Sequence, residues 1–587
     1  MNQVHTYVDI LRHMEKSYSN PLALNWRENG VWHSFSTQEF LLAVRYVALG
    51  LCDMGLQPGE HIGILAHSSP HWTIVDFAIM IAGGVSVPLF ASISDEHFSY
   101  EVEQTEIKLL FVGGTEQWWM LQRHSKLFNL IIAITPPPAN TNAYALQELM
   151  ERGKQLDMRE PQRYAQLCGA ITPESVGTII YTSGSTGVPK GVELTQENMA
   201  CLVHDNPYSW NEKTDRYLSL LPLEHVFGHC VNLWMIYWGV SIYYTSDYKI
   251  IATICEEIKP TAMVVVPRLL EKIHGRMLDK VHDLKGFKHL LAKWAFALAD
   301  QLTLPWYKKI LLPLFDLLVY SKFREGLGGE IRVVISGGAP LDSRIHTFFE
   351  RIKIPVYEGW GMTEACPITV NRPHDNIIGS VGKILADHQM KLTPEGEILI
   401  KGPLVMRGYY RNSQETAKGV DSEGWLHTGD RGSIDSVGHL KILGRIKELY
   451  KTSTGEYVAP IPIEQAICRH PLVETAMVVA EGRKFATCLL FPNAEALQRL
   501  KNKHKTIEVD DEAFLKSPYV TVEIHKLLSD VNTHLNHCEQ IRAYRFIMKP
   551  LTIKDGELTP SMKIRRQFVA NKYSKIIDAM YHEEAKV

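Results

Sequence analysis

Residues 177–199 read GTIIYTSGSTGVPKGVELTQENM. The first five have the pattern of a buried strand, and a small-residue, hydroxyl-rich loop follows. Gly184 and Gly187 let the backbone turn tightly and aim N–H groups at one anion. Thr182, Ser183, Ser185 and Thr186 add hydroxyl donors, and Lys190 adds a mobile positive charge. That set suits the polyphosphate of a nucleotide. The loop is not of the Walker A type, which needs glycine directly before the lysine, where this chain has Pro189. A hydroxyl-rich linker is the competing reading. A strand before the loop and a helical pattern expected after it weigh against that.

Further segments carry groups with chemical potential. In LPLEHVF, a proline-stiffened turn sets His225 beside Phe227 and an apolar run, an arrangement able to place a carboxylate at the mouth of an apolar tunnel. A lone histidine is more often a satisfied core or surface residue. RVVISGGAPL reads as a buried strand entering a turn of Gly337, Gly338, Ala339 and Pro340, small enough for a planar ring to lie flat against it. YEGWGMTE places Glu358, Gly359, Trp360, Gly361, Met362, Thr363 and Glu364 in succession. WLHTGD ends in Asp430, GRIKE holds Arg445 and Lys447, TSTGEYV holds Gly455, and GELTPSMKIRR holds Lys563. Taken singly, each of these reads as a turn, a charged surface or a hairpin.

Taken together and in this order, they resemble the acyl-adenylate-forming enzymes: acyl-CoA synthetases, adenylation domains of nonribosomal peptide synthetases and beetle luciferases. YTSGSTGVPKG looks like their signature, and the matching motifs run on to Lys563. The resemblance implies an α/β fold with a large N-terminal domain of helix-covered sheets (the adenylate-forming fold), expected at 1–445, and a small mobile α+β C-terminal domain, expected at 446–587. It implies ATP or AMP contacts from Thr182 through Gly187, Lys190, residues 337–340, residues 358–363, Asp430, Arg445 and Lys563. Asp430 would accept the ribose hydroxyls, and Arg445 would reach ribose or α-phosphate. Thr186 and Glu364 would face Mg²⁺, which on ATP wants one or two carboxylates beside phosphate oxygens. His225, Phe227 and Gly338 would contact the acyl group. The catalytic set would be Lys563, His225, Thr186 and Lys190, with Lys447 as hinge and the Gly455 loop as the path of the CoA arm. Three departures stand out: Trp360 where tyrosine is commoner, Gly444 where many relatives have aspartate, and Thr454 where a second glycine is common.

The implied reaction has two steps. A carboxylate attacks the α-phosphate of Mg·ATP to give acyl-AMP and pyrophosphate; a thiol then takes the acyl group and AMP leaves. Residues 259–275 and the helical segment before SGGAPL are similar to fatty acyl synthetases, and the apolar run at 231–244 fits an acyl chain. The expectation is therefore a long-chain fatty acid–CoA ligase of the AMP-forming, acid–thiol class, acting in lipid metabolism with ATP, Mg²⁺ and CoA. The rivals are an acyl-AMP ligase or acyl-ACP synthetase using acyl carrier protein, and a non-catalytic nucleotide or acyl-AMP binder.

The elements that must position these groups show in the rhythm of the chain. HIGILAH at 61–67 reads as a buried strand, HWTIVDFAIMIAGG as a helix closing on glycines, and GVSVPLF and KLLFVGG as further strands. That alternation implies parallel sheets covered by helices. Residues 267–327 break it with helical stretches that interleave aromatics and lysines. The favoured reading makes them core covers; the sharper one makes them a surface that touches a membrane. The chain has 587 residues, 45% hydrophobic and 22% charged, and a formal net charge of −3, which argues against a polyanion coat or a nucleic-acid partner. Nine cysteines without a C-x-x-C pair argue against a disulfide framework or structural zinc. The opening MNQVHTYVDILRHMEKSYSN has no signal-peptide core, and neither apolar stretch (77–90 or 230–244) reaches spanning length. The expected location is cytoplasmic, with peripheral contact to the inner membrane surface as the extension.

Overall fold

The computed structural model describes residues 4–139, 141–182, 188–385, 388–446, 449–453, 456–504, 506, 509–533, 535–552, 554–558 and 564–582. The chain divides into two compact units. The first comprises Met1–Leu392, Leu399–Thr428 and Ile434–Lys441; the second comprises Thr393–Ile398, Gly429–Ser433 and Ile442–Val587.

The first unit contains two large sheets. One runs, in spatial order, Lys383–Ile384, Cys366–Val370, Val356–Met362, Val333–Ser336, Ala262–Val265, Arg216–Ser219, Ser241–Tyr244, Leu24–Glu28 and Val31–Phe35. Its six strands from Val356–Met362 to Leu24–Glu28 are parallel. The other runs Gly408–Tyr409, Lys190–Thr195, Val176–Thr182, Val85–Leu89, His61–Ala66, Leu109–Gly113, Leu130–Ala133 and Tyr144–Ala145. Ala262–Val265, Ser241–Tyr244 and Val333–Ser336 are buried at every position, as strands covered on both faces must be. The expected strand at 61–67 is His61–Ala66. The helix after it is Pro70–Ile81, started by Ser69, whose hydroxyl accepts from Trp72 N at 3.1 Å, with Pro70 at the first helical position.

The helical pattern expected after the hydroxyl-rich loop is the helix Gln196–Ala200, and a strand comes between loop and helix. Lys190–Thr195 is a strand antiparallel to Val176–Thr182, with Thr182 opposite Lys190 and Tyr181 opposite Gly191. Val192 and Leu194 are buried while Glu193 and Thr195 are half-buried, a period-two pattern that suits a strand. The helix Gln196–Ala200 comes only afterwards, capped by Thr195.

Residues 267–327 are helical, principally Pro267–Asp283 and Gly286–Ala299. Their inner face joins Met263, Val265, Phe348 and Phe349 in one core, as the core-covering reading expects. Their outer face leaves Phe287, Leu290 and Trp294 exposed. The second unit is built on Val473–Val479, Ala486–Pro492 and Ile541–Phe546, with the helices Pro460–Cys468 and Pro518–Asn532 closing a core around Val478, Leu490 and Ile524.

Candidate active site

Parallel strands Val333–Ser336 and Val356–Met362 run side by side, with Ser336 opposite Glu358. The first ends at Gly337, where a Cβ would stand 3.0 Å from Phe227 Cζ, so the Phe227 ring lies directly on that backbone. Gly338 has φ +80°, a conformation costly for any residue with a side chain. Gly338, Ala339 and Pro340 are exposed, so the turn presents a small-residue surface. Glu358 is buried and braces this turn from beneath. One carboxylate oxygen accepts from Leu341 N at 3.3 Å, and the other meets His346 Nδ1 at 3.0 Å. Burial opposes charge on His346, yet Glu350 and Glu358 outweigh it and lift its pKa to about 9. Beyond Glu358 the strand crosses Cys366–Val370 so closely that a Cβ on Gly361 would meet Cys366 O at 2.2 Å. The register shifts between Trp360 and Gly361, while Trp360 and Met362 stay half-buried and Thr363 is buried.

His225 caps the helix Val226–Tyr237, its Nδ1 accepting from Phe227 N at 3.2 Å. In the neutral ring that leaves the proton on Nε2. The ring is half-buried. Because His225 and Phe227 open one helix and Phe227 packs on Gly337, the segments read as acyl-facing and nucleotide-facing meet within the first unit.

A second junction joins the loop lysine to the TE segment. Tyr409 Oη donates to Glu364 Oε1 at 2.8 Å, and Lys190 Nζ lies 5.0 Å from the centre of the Tyr409 ring. Tyr409 reaches both because Gly408–Tyr409 pairs with Lys190–Thr195, Tyr409 opposite Val192. Lys190 also forms an ion pair with Glu415, whose carboxyl is held down at about 2 by Lys190 and Lys418. Thr182 is half-buried at the end of its strand.

In the second unit, Asp430 is buried and Arg445 Nε stands 3.1 Å from its Oδ1. Gly429 N donates to Glu397 Oε1 at 3.0 Å. Tyr450–Lys451 and Tyr457–Val458 pair as antiparallel strands around the TSTGE segment, the hairpin that competed with the CoA-loop reading. Ser183, Gly184, Ser185, Thr186, Gly187, Lys447, Gly455 and Lys563 lie outside the described residues.

Four participants were not legible in the motifs. Tyr409 and Glu415 sit more than 200 residues from Lys190, and His346 carries no motif of its own. Glu224, beside His225, is buried; one oxygen accepts from Ala91 N at 3.3 Å, Oε2 has no hydrogen-bond partner among the described residues, and burial raises the carboxyl to about 7. Alternating strand residues around Tyr409 give no local signal of any of these contacts.

Similarity to known proteins agrees with the architecture. The chain matches the AMP-binding enzyme family over residues 12–410, and the AMP-binding enzyme C-terminal domain over 448–585. It is 32% identical to the long-chain-fatty-acid–CoA ligase FadD15 of Mycobacterium bovis over 576 residues, 95% of this chain and 94% of that protein. It is 30% identical to the long-chain-fatty-acid–CoA ligase ACSBG1 of Rattus norvegicus over 615 residues, 97% of this chain and 84% of that one. The adenylation domain of the carboxylate reductase from Mycobacterium chelonae shares the fold, with TM-score 0.75, 21% identity and coverage of 98% of this chain and 91% of that one. The family match and the shared fold define an adenylate-forming α/β enzyme. The chain belongs to the AMP-binding enzyme family.

Proposed function

We propose that this enzyme activates a long-chain fatty acid with ATP and passes the acyl group to CoA. A carboxylate oxygen attacks the α-phosphorus of ATP, the bond to the β-phosphate bridging oxygen breaks, and acyl-AMP and pyrophosphate result. The CoA thiolate then attacks the acyl carbonyl and AMP leaves. The observation that carries the reading is Tyr409, which ties Lys190 to Glu364 and so links the loop motif to the TE motif. The names of the relatives that span nearly the whole chain support the acyl class.

The chain's residues divide the work as follows. Lys190 and the loop donors from Thr182 to Gly187 hold phosphate oxygens, and Thr363 donates to the α-phosphate. Residues 337–340, Gly359, Trp360, Gly361 and Met362 line the nucleobase side, with Glu358 bracing that turn rather than touching the nucleotide. His225, through Nε2, and Phe227 orient the acid beside Gly338. Asp430 and Arg445 take the ribose. Lys563 offsets charge in the first step, the Gly455 loop admits the thiol in the second, and Lys447 is the pivot of a C-terminal domain taken as 446–587. Glu364 is a hard oxygen donor, and among the described residues no three His, Cys, Asp or Glu side chains group as a metal site. One carboxylate beside phosphate oxygens fits Mg²⁺, with Thr186 as the second protein group. When bound, Mg²⁺ would supply neutralisation of phosphate charge.

Pyrophosphate release from Mg·ATP across fatty acids of graded length, acetate and amino acids, with and without CoA, tests the proposal. A maximum with long acids and acyl-CoA in the mass spectrum is expected. Acyl-AMP without acyl-CoA would move the acceptor to acyl carrier protein. No release with any acid would leave a nucleotide-binding protein. Lys563→Ala is expected to lower acyl-AMP formation by about 100-fold or more while sparing transfer from supplied acyl-AMP.

A further inference from the structure

The outer face of residues 284–318 has no role in the chemistry above. Eleven of the large apolar side chains that the described residues expose fall in this segment. On the helix Gly286–Ala299 the inner row is Ala292, Ala295, Phe296 and Ala299, packed into the core, so the helix is fixed in orientation. The outer row is Phe287, Leu290 and Trp294, spaced three and four residues apart and therefore on one face. Trp294 meets Phe315 edge-on at 5.2 Å, and Tyr320 Oη donates to Ala295 O at 2.9 Å. These contacts seat the turn Asp316–Tyr320 beside the helix, and Leu317 within that turn is exposed. Phe287, Trp306 and Leu317 are 77%, 76% and 74% exposed. An apolar surface of this extent on a soluble fold marks a contact site.

Charge identifies the occupant. Residues 284–318 hold five lysines (285, 288, 293, 308 and 309) and two acidic residues, Asp300 and Asp316, the latter paired with Arg324 and Lys353. Asp300 is buried and engaged by Arg344 and His274, so it presents no negative charge outward. Lys285, Lys288, Lys293 and Lys309 are exposed among the apolar side chains. A two-fold contact with a second copy would set this lysine-bearing face against itself. Among the described residues no helix is long and apolar enough to cross a bilayer. We infer that residues 284–318 form a docking face for an anionic phospholipid membrane, with Phe287, Trp294, Trp306 and Leu317 entering the headgroup–acyl boundary and the lysines meeting lipid phosphates. The inference does not rest on the substrate reading, because docking is measured with no acid, ATP or thiol present.

The test is co-sedimentation of the full chain with phosphatidylcholine vesicles and with phosphatidylcholine–phosphatidylglycerol vesicles at low and high salt. Binding is expected to the anionic vesicles and to weaken with salt. The triple variant Phe287→Ser, Trp306→Ser, Leu317→Ser is expected to lose at least about tenfold in partition. Its thermal melt should be unchanged, since all three side chains are about three-quarters exposed. Lys288→Glu with Lys293→Glu is expected to weaken binding by about fivefold or more for each lysine. Brominated lipid should quench the wild type more than Trp306→Phe. Absence of binding, binding undiminished in the folded triple variant, or a wild-type dimer that the triple variant turns into a monomer would each overturn the proposal.

Discussion

His225 and His229 lie one turn apart at the start of the same helix, yet their surroundings differ in kind. His229 is 1% exposed, its Nε2 2.8 Å from Asp76 Oδ2 and 3.1 Å from Tyr7 Oη. Asp76 takes a further bond from Ser86 Oγ at 2.7 Å, and Trp72 packs edge-on against the imidazole. This cluster ties the N-terminal helix Tyr7–Ser17, the helix Pro70–Ile81 and the strand Val85–Leu89 to the helix that His225 caps. His225, half-buried, spends one nitrogen on the backbone and stands beside the Gly337 turn through Phe227. The inner histidine is buried and held through Nε2 by Asp76 and Tyr7, and the outer one is half-buried and aimed by its cap bond. Breaking the inner cluster should therefore cost stability, and breaking the outer residue should cost catalysis. Asp76→Ala is expected to lose about 3 kcal/mol in urea denaturation, since it strands a buried partner. His225→Ala should lose only about 1 kcal/mol, that of a cap, while kcat/KM for the acid falls about 100-fold. Equal effects of both variants on stability and on pyrophosphate release per folded molecule would erase the distinction.

The two buried carboxylates of these regions sharpen the same contrast. Asp76 is bonded through both oxygens, whereas Glu224 Oε2 has no hydrogen-bond partner among the described residues. Burial raises the Glu224 carboxyl from 4.5 to about 7. The folded state thus resists ionisation that the unfolded chain permits, and stability falls as pH rises from about 4.5 to 7. Glu224→Gln removes that cost. It is expected to gain on the order of 2 kcal/mol at pH 8 and little at pH 5, read as the shift in urea midpoint. A gain of the same size at both pH values would mean that ionisation is not its source.

The sequence made the frame legible because its signals were local. Gly-rich turns, unbroken apolar strands such as VVIS, and the Ser69-Pro70 helix start are each decided within a few residues. What it hid was decided by pairing across distance. The strand Lys190–Thr195 between the loop and its helix is set by pairing with Val176–Thr182. Tyr409 joins Lys190 to Glu364 because a two-residue strand lands against Lys190–Thr195, which no local pattern announces. The helix Gly286–Ala299 carries apolar residues on both its inner and outer rows, so its pattern alone does not say which row faces the core. Packing of Ala295 and Phe296 decides it, and the exposed row is what remains.

The smallest expected effect concerns the brace beneath the nucleotide-side turn, a third histidine that falls between the other two. Like His229, His346 is fully buried and held by a carboxylate, but its partner Glu358 also receives Leu341 N, so the ion pair shapes the turn itself. Its pKa is raised from 6.5 to about 9: burial works against the charge, and Glu350 and Glu358 prevail. Because the folded value lies above the unfolded one, the charged pair stabilises fully below about pH 6.5 and its contribution fades as pH rises through 9. His346→Gln should be less stable than the parent by about 1.5 kcal/mol at pH 6, the worth of a charge-assisted hydrogen bond, and the gap should close toward pH 9. Urea midpoints across that range read it directly. A gap that stays constant or widens with pH would show that the imidazole is neutral in the fold and braces Glu358 by shape alone.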